Sequence, residues 1–428
     1  MSRYIKEKAD IQSSLFWKTG IAVIFLYLAA AFPGTTLFGS FPMQRVSLLL
    51  LLGHGAITIA FTIRQGFKLS KHMIWYGAFA ALCFLSLAIS GGKLDNSDIY
   101  SVAICFTLTV IHSFYIKSKA AFNSVCWCYV IVCIINTILL LASNSLVLRT
   151  GERLGDNLSI NANVLALYFM YGTVYAIWLF FCENNRRMRL VLLCIIVFIS
   201  YPLILTGGRK FFICPILFII IVLLMNSDAG KKNHRMRNVC IIGVILLVSW
   251  ILVMNVPALY SALGKRMEGL FNSFTGKGEV EESAQAREQL RKLAVWGWLD
   301  SPIWGNGFDT FKYYSYKNGM PLFYSHCNYT ELLFSGGVIL FAAYYWFFGM
   351  ILWKCFTDKR IPIKQRSLCA AGILMQLMYD YGGVSYNEYH NQLFMYMLFC
   401  ALIVIKNEDS HMAEESLLNH SDSHYLIK

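Results

Sequence analysis

The side chains able to do acid–base or anion chemistry in this chain are few, and they fall in short segments between apolar stretches. His326 stands in "FYSHCNYTELLFSGGVIL" (Phe323 to Leu340), with Asn328 and Glu331 close behind it and an apolar run immediately after. A histidine with its ordinary pKa of ~6.5 accepts a proton near neutrality and suits a general base; the plainer alternative is a histidine that caps a helix. Arg209 and Lys210 form a basic turn in "TGGRKFF". A guanidinium offers a fixed fork of donors that matches phosphoryl oxygens, whereas the plainer reading has both side chains snorkelling to lipid headgroups. Arg287 and Arg291 share one helical face in "AREQLRKLAVWGWLD", where the alternative is a solvated surface balanced by Glu282 and Glu288. On the side of His326 only His390 and a few carboxylates could join it, with no His-x-x-x-His or His-Glu-x-x-His spacing among them, so neither a metal nor another cofactor is expected. Gly305-Asn306-Gly307 lacks the preceding strand and following helix that a nucleotide-binding glycine loop needs.

The elements that must position these groups belong to a membrane. With 57% hydrophobic residues, 14% charged residues and only 8 prolines in 428, the composition is far from that of a soluble protein. Windows of ~20 apolar residues give about twelve candidate spans: 15–32, 43–63, 73–91, 97–116, 122–142, 160–182, 190–206, 211–225, 238–256, 331–353, 367–380 and 390–405. The expected fold class is therefore all-α, a polytopic integral membrane protein and one membrane domain over 1–428. Lys and Arg resist translocation, and they concentrate at the N-terminus, Arg64 to Lys71, Lys117/Lys119, Arg186 to Arg189, Lys231 to Arg237 and Lys354 to Arg366. That pattern puts both termini, including the polar tail 407–428, in the cytoplasm. It also accounts for most of the net charge of +13 without nucleic acid. Segment 257–325 becomes the large outer-face loop, and its helix with Leu290, Leu293, Ala294 and Trp298 at helical spacing is expected to lie on the membrane. The 13 cysteines sit almost entirely within apolar stretches and read as small hydrophobes.

Four ordered segments resemble the O-antigen ligase and polysaccharide polymerase (Wzy/WaaL-like) superfamily of membrane glycosyltransferases. "RLGDNLSINANVLALY" is similar to its Arg-x-x-Gly segment followed by Asn-x-Asn, at Arg153, Asn161 and Asn163. "LILTGGRKFF" is similar to its Thr-x-Ser-Arg-Gly turn at Arg209, with Gly208 in place of the serine. "AREQLRKLAVWGWLDSPIWGNGF" places Arg287 at the family's arginine, and "HCNYTELLFSGGVIL" resembles its His-Asn motif, with Cys327 intervening between His326 and Asn328. The resemblance implies catalytic roles for His326, Arg209 and Arg287, and substrate contacts from Arg153, Lys210, Asn163, Asn328 and Glu331. The donor it implies is an undecaprenyl-pyrophosphate-linked glycan, transferred to a glycan acceptor with inversion, without metal or nucleotide sugar. The site would lie on the outer face of a bacterial cytoplasmic membrane, among membrane lipid, with a flippase and a chain-length regulator as possible partners. A polymerase of O-antigen, capsular or exopolysaccharide repeat units is the first expectation. A ligase onto lipid A-core is the second, and a transporter for the same lipid, using buried polar residues such as His54, His112 and Gln376, is the third.

Overall fold

The computed structural model describes residues 2–32, 41–63, 69–91, 97–149, 152–158, 160–226, 232–275 and 282–403. Among the described residues every regular element is helical. In chain order they are α1 (Ser2–Ala31), α2 (Phe41–Ile63), α3 (Lys71–Ile89), α4 (Ser97–Tyr115), α5 (Lys119–Ala142), α6 (Ala162–Cys182), α7 (Arg186–Leu205), α8 (Arg209–Met225) and α9 (Lys232–Asn255). A turn of helix, α10 (Pro257–Leu259), runs through a π-turn (Tyr260–Gly264) into α11 (Lys265–Thr275). Then follow α12 (Glu282–Asp300), α13 (Phe311–Lys317), α14 (Asn328–Thr357), α15 (Ile363–Tyr381) and α16, residues 389–403. The tail 407–428 and the basic residues Arg64, Lys68 and Lys231 lie outside the described residues.

Among the described residues each of the twelve apolar segments overlaps one of these helices. Eight helices among the described residues are long and apolar enough to cross a membrane: α2 to α7, α9 and α14. The others fall short for visible reasons. The apolar part of α1 begins only at Leu15, α8 has 17 residues, and α15 carries Lys364, Gln365, Arg366, Gln376 and Asp380. Several starts are written in local chemistry, since the side chains of Ser70, Ser118, Asn161 and Asn185 accept from backbone N–H groups of the first turns of α3, α5, α6 and α7.

Helix α6 is apolar on all sides and buried along nearly its whole length, as a central helix must be. It packs on α5, α7 and α8; α8 packs on α15, α15 on α14, and α14 on α3. Helix α9 is at the periphery, with Val244, Leu247, Trp250 and Ile251 exposed as a lipid-facing surface would be.

Two features differ from the sequence expectation. The apolar residues Leu290, Leu293 and Ala294 of α12 do not face a membrane; they form a small core with Phe311 and Phe334, because α13 and the first turns of α14 offer a protein surface. The apolar side chains left exposed in this region are Trp296, Leu299, Ile303 and Trp304. Helix α14 is also broken, at Gly336 and Gly337, and the second of these has φ 62°. The chain from Pro302 to Gly307 fills the break: Asn306 and Gly307 donate to the carbonyls of Phe334 and Ser335, and Val338 donates to Pro302. Non-helical backbone inside an apolar layer survives only when protein supplies its partners, and this loop does so.

Candidate active site

At the end of the bundle where α6, α8, α14 and α16 begin and α15 stops, a cavity of about 720 Å³ opens. Arg153, Asn161, Asn163, Arg209, Lys210, Arg287 and His326 all line it, together with Arg266, Arg291, Glu288, Glu388, Tyr324, Tyr379 and Tyr381. Six cationic side chains thus face two carboxylates, and Glu288 is already paired with Arg291. Of two other hollows, one among α1, α2 and α5 is lined almost wholly by apolar side chains, and one between α3 and the loop at Trp304 to Gly307 adds only Ser86, Ser90 and Asn306 to an apolar and glycine lining.

The basic rim is assembled from separate segments. Arg153 bonds the turn before α8: its Nε donates to the Thr206 carbonyl at 2.7 Å and its Nη2 to Asn163 Oδ1 at 3.1 Å. Gly207 in that turn has φ 65°, and a Cβ there would stand 2.4 Å from the Ala262 carbonyl oxygen, so only glycine lets the two backbones meet. Gly208 then caps α8 without a side-chain bond, so the helix begins with uncapped N–H groups beside Arg209 and Lys210. A helix start of this kind favours an anion. Arg209 Nη1 donates to the Arg266 carbonyl at 3.0 Å, which ties α8 to α11. Lys210 Nζ donates to the Gly382 carbonyl at 2.8 Å and lies 4.1 Å from the centre of the Tyr379 ring.

His326 stands at φ 58°, a left-handed conformation that costs a non-glycine residue about 1–2 kcal/mol. Its neighbours hold it there. Ser325 N–H donates to Glu331 Oε2 at 2.7 Å, and Ser325 Oγ donates to the Cys327 carbonyl at 3.0 Å. The ring leans on Tyr324, centroid to centroid 4.3 Å, and neither ring nitrogen has a hydrogen-bond partner among the described residues. Burial, and after it the nearby charges of Arg287, Lys210 and Arg291, pushes the imidazole down to about 4, so it is neutral at pH 7. The guanidinium of Arg287 likewise has no hydrogen bond or ion pair among the described residues.

Asn328 and Glu331 do not reach the cavity. Both are buried, and both hold backbone. Asn328 Oδ1 accepts from Ser385 N at 2.9 Å and Tyr386 N at 3.3 Å, and its Nδ2 donates to Tyr345 Oη, so it staples the α15–α16 connection to the start of α14. Glu331 secures the turn that displays His326. Of the groups that sequence reasoning left out of the site, Arg266 is brought in by the α8–α11 contact, and nothing in its local sequence marks it. Glu388, which the sequence offers with Asp380 and His390 only as a base should His326 prove structural, lies one residue ahead of α16. Enclosure by protein, opposed by Lys210 and reinforced by Asp98, raises its carboxyl to about 7 even though it remains open to the cavity.

Comparison with known proteins adds no kinship. No family model and no curated protein matches this chain. The chemistry must therefore be read from the cavity. Among the described residues no group of three or more His, Cys, Asp and Glu side chains is placed to hold a metal ion. The arrangement offers a concentrated cationic surface, a neutral imidazole, a free carboxylate, and apolar side chains one turn below the rim at Leu167, Ile213 and Met378. Such a cavity suits an amphipathic polyanion.

Proposed function

We propose that this chain is a membrane glycosyltransferase that extends a glycan carried on a polyprenyl pyrophosphate at the outer face of a bacterial cytoplasmic membrane, with twelve spans and both termini in the cytoplasm. The observation that carries the reading is the convergence of Arg153, Arg209, Lys210, Arg287 and His326, drawn from four distant segments, on one cavity at one end of the bundle. Arginines aimed at a pyrophosphate stabilise the charge that grows on it as the glycosidic bond breaks. A hydroxyl oxygen of the acceptor glycan attacks the anomeric carbon. The bond from that carbon to the phosphate oxygen breaks, its electron pair leaves with the lipid pyrophosphate, and the configuration inverts.

Incubation of purified protein with a synthetic polyprenyl-pyrophosphate repeat unit tests the reading. Longer lipid-linked glycans support it, and an unchanged donor at protein-saturating concentration sinks it. A deletion strain separates polymerase from ligase: single repeat units on the terminal acceptor are expected, whereas long lipid-linked chains left unattached would mean a ligase.

A further inference from the structure

The proton of the attacking hydroxyl must go somewhere, and two groups on the cavity wall are open to receive it. His326 is one. Glu388 is the other, and its carboxylate makes no hydrogen bond or ion pair among the described residues although six cations line the same cavity. Lys210 acts on it through space without pairing with it, its ammonium donating to the Gly382 carbonyl and lying against the Tyr379 ring.

Everything around Glu388 is held while its carboxylate is left empty. Asn328 fixes the N–H groups of Ser385 and Tyr386, Tyr76 Oη donates to the Tyr386 carbonyl at 2.6 Å, and Asn387 Nδ2 donates to Asp98 Oδ1 at 3.1 Å. A group displayed this rigidly, without a protein partner, is preorganised for a ligand. The charges acting on the two candidates differ as well. Arg287, Lys210 and Arg291 act on His326, while Lys210 and Asp98 act on Glu388, so the imidazole sits in the cationic region that an anion would occupy.

We propose that Glu388 takes the proton of the acceptor hydroxyl during transfer, and that His326 donates a hydrogen bond from its ring N–H to the departing pyrophosphate. This rests on the glycosyl-transfer reading. The acceptor O–H bond breaks toward the Glu388 carboxylate as the new glycosidic bond forms, and the phosphate leaves as the anion with no proton required. The proton affinities fit this division: a neutral imidazole near 4 is a weak base, whereas a carboxyl near 7 is matched to the working pH.

Activity must then rise with pH as Glu388 ionises, with a limb near 7, and fall again above about 8, where Lys210, its ammonium disfavoured by burial, loses its charge. The charged groups facing this carboxylate are Lys210 from α8 and Asp98 from α4. The other titratable groups near it are Tyr27 (α1), Cys105 (α4), Tyr168 (α6), Tyr379 (α15) and Tyr324, whose phenol burial pushes up.

The test compares Glu388→Gln, Glu388→Asp and His326→Ala with the wild type, using the synthetic polyprenyl-pyrophosphate repeat unit as probe, and reads donor retention and chain extension from pH 5 to 9. Glu388→Gln should retain the donor while extension falls ~10²-fold or more and loses the ascending limb near 7, and Glu388→Asp should restore part of the rate and the limb. His326→Ala should keep the limb and lose roughly tenfold to a hundredfold in extension, the worth of one hydrogen bond to a charged group. A limb that survives in Glu388→Gln, or vanishes in His326→Ala, overturns the assignment alone. A wild-type protein that retains the donor without extending it sinks the polymerase reading, and Glu388 then has no proton to take.

Discussion

Arg287 and Arg209 make different experiments although they line the same cavity. Arg287 has no hydrogen bond or ion pair among the described residues, so Arg287→Lys changes what a ligand meets and little else; Arg209 also holds the Arg266 carbonyl. A point ammonium does not reproduce a forked phosphate contact. Loss of one such charge-assisted bond costs about 1.5–3 kcal/mol, roughly tenfold to a hundredfold in rate if the contact is made mainly in the transition state. Arg287→Lys should therefore melt at the wild-type temperature and lose that much transfer, while Arg209→Lys loses transfer and some stability. Full activity of both at normal yield would return the pair to snorkelling. At this scale the sequence was legible where polar residues stand in the connections or segment ends on one side of the bundle, because such positions lie at similar depth: Arg153, Asn163, Arg209, Lys210 and His326 all do. It was not legible for Asn328 and Glu331. They stand at the same depth, but the rotation of α14 about its own axis, set by packing on α3, α12 and α15, turns them into protein.

The elements carry their own constraint in the broken helix α14. The glycines of "SGGVIL" could be read as a motif, but not as a socket for the "SPIWGNG" chain, because the partner lies about thirty residues away in a loop with no regular structure. The same blindness hid what Leu290, Leu293 and Ala294 of α12 pack on: their apolar face was visible, and the small core of Phe311 and Phe334 that covers it was not. Gly337 has φ 62°, and a Cβ there would lie 2.2 Å from the Ile303 carbonyl oxygen, a backbone atom that cannot swing aside. Left-handed strain and the clash add, so Gly337→Ala should lower the melting temperature of the detergent-solubilised protein by several degrees or prevent its recovery. Gly349, on the same helix, has nothing within 4 Å of where a Cβ would stand. Gly349→Ala should leave the melt unchanged or raise it, as helix propensity favours alanine by ~1 kcal/mol. Equal melts for the two variants would show that the loop is not seated in the break.

At the scale of the whole molecule, the question is which end of the bundle faces out. The cavity end holds the starts of α6, α8, α14 and α16; the opposite end holds the starts of α5, α7 and α15. There Lys119 and Lys364 both stand near Cys182 at the end of α6, and Asn226 after α8 bonds Ser367 near the start of α15, so the two ends are far apart in the fold as well as in the sequence. Basic residues crowd that opposite end, from Lys117 and Arg186 to Lys354–Arg366, in longer runs than a lipid-facing turn needs. Lysine and arginine resist translocation, so the orientation we propose has that end in the cytoplasm and the cavity facing out. Accessible thiols can check this. Of the thirteen native cysteines only Cys182, Cys194 and Cys240 are exposed, so replacing these three with serine gives a quiet background. On it, a cysteine at Lys317, beside the cavity-end loops, should react with a membrane-impermeant maleimide in spheroplasts, and one at Lys359 should react only after the membrane is opened. The opposite pattern would put the arginines in the cytoplasm, where a pyrophosphate donor in the outer leaflet could not meet them, and the proposed reaction would fall with the topology.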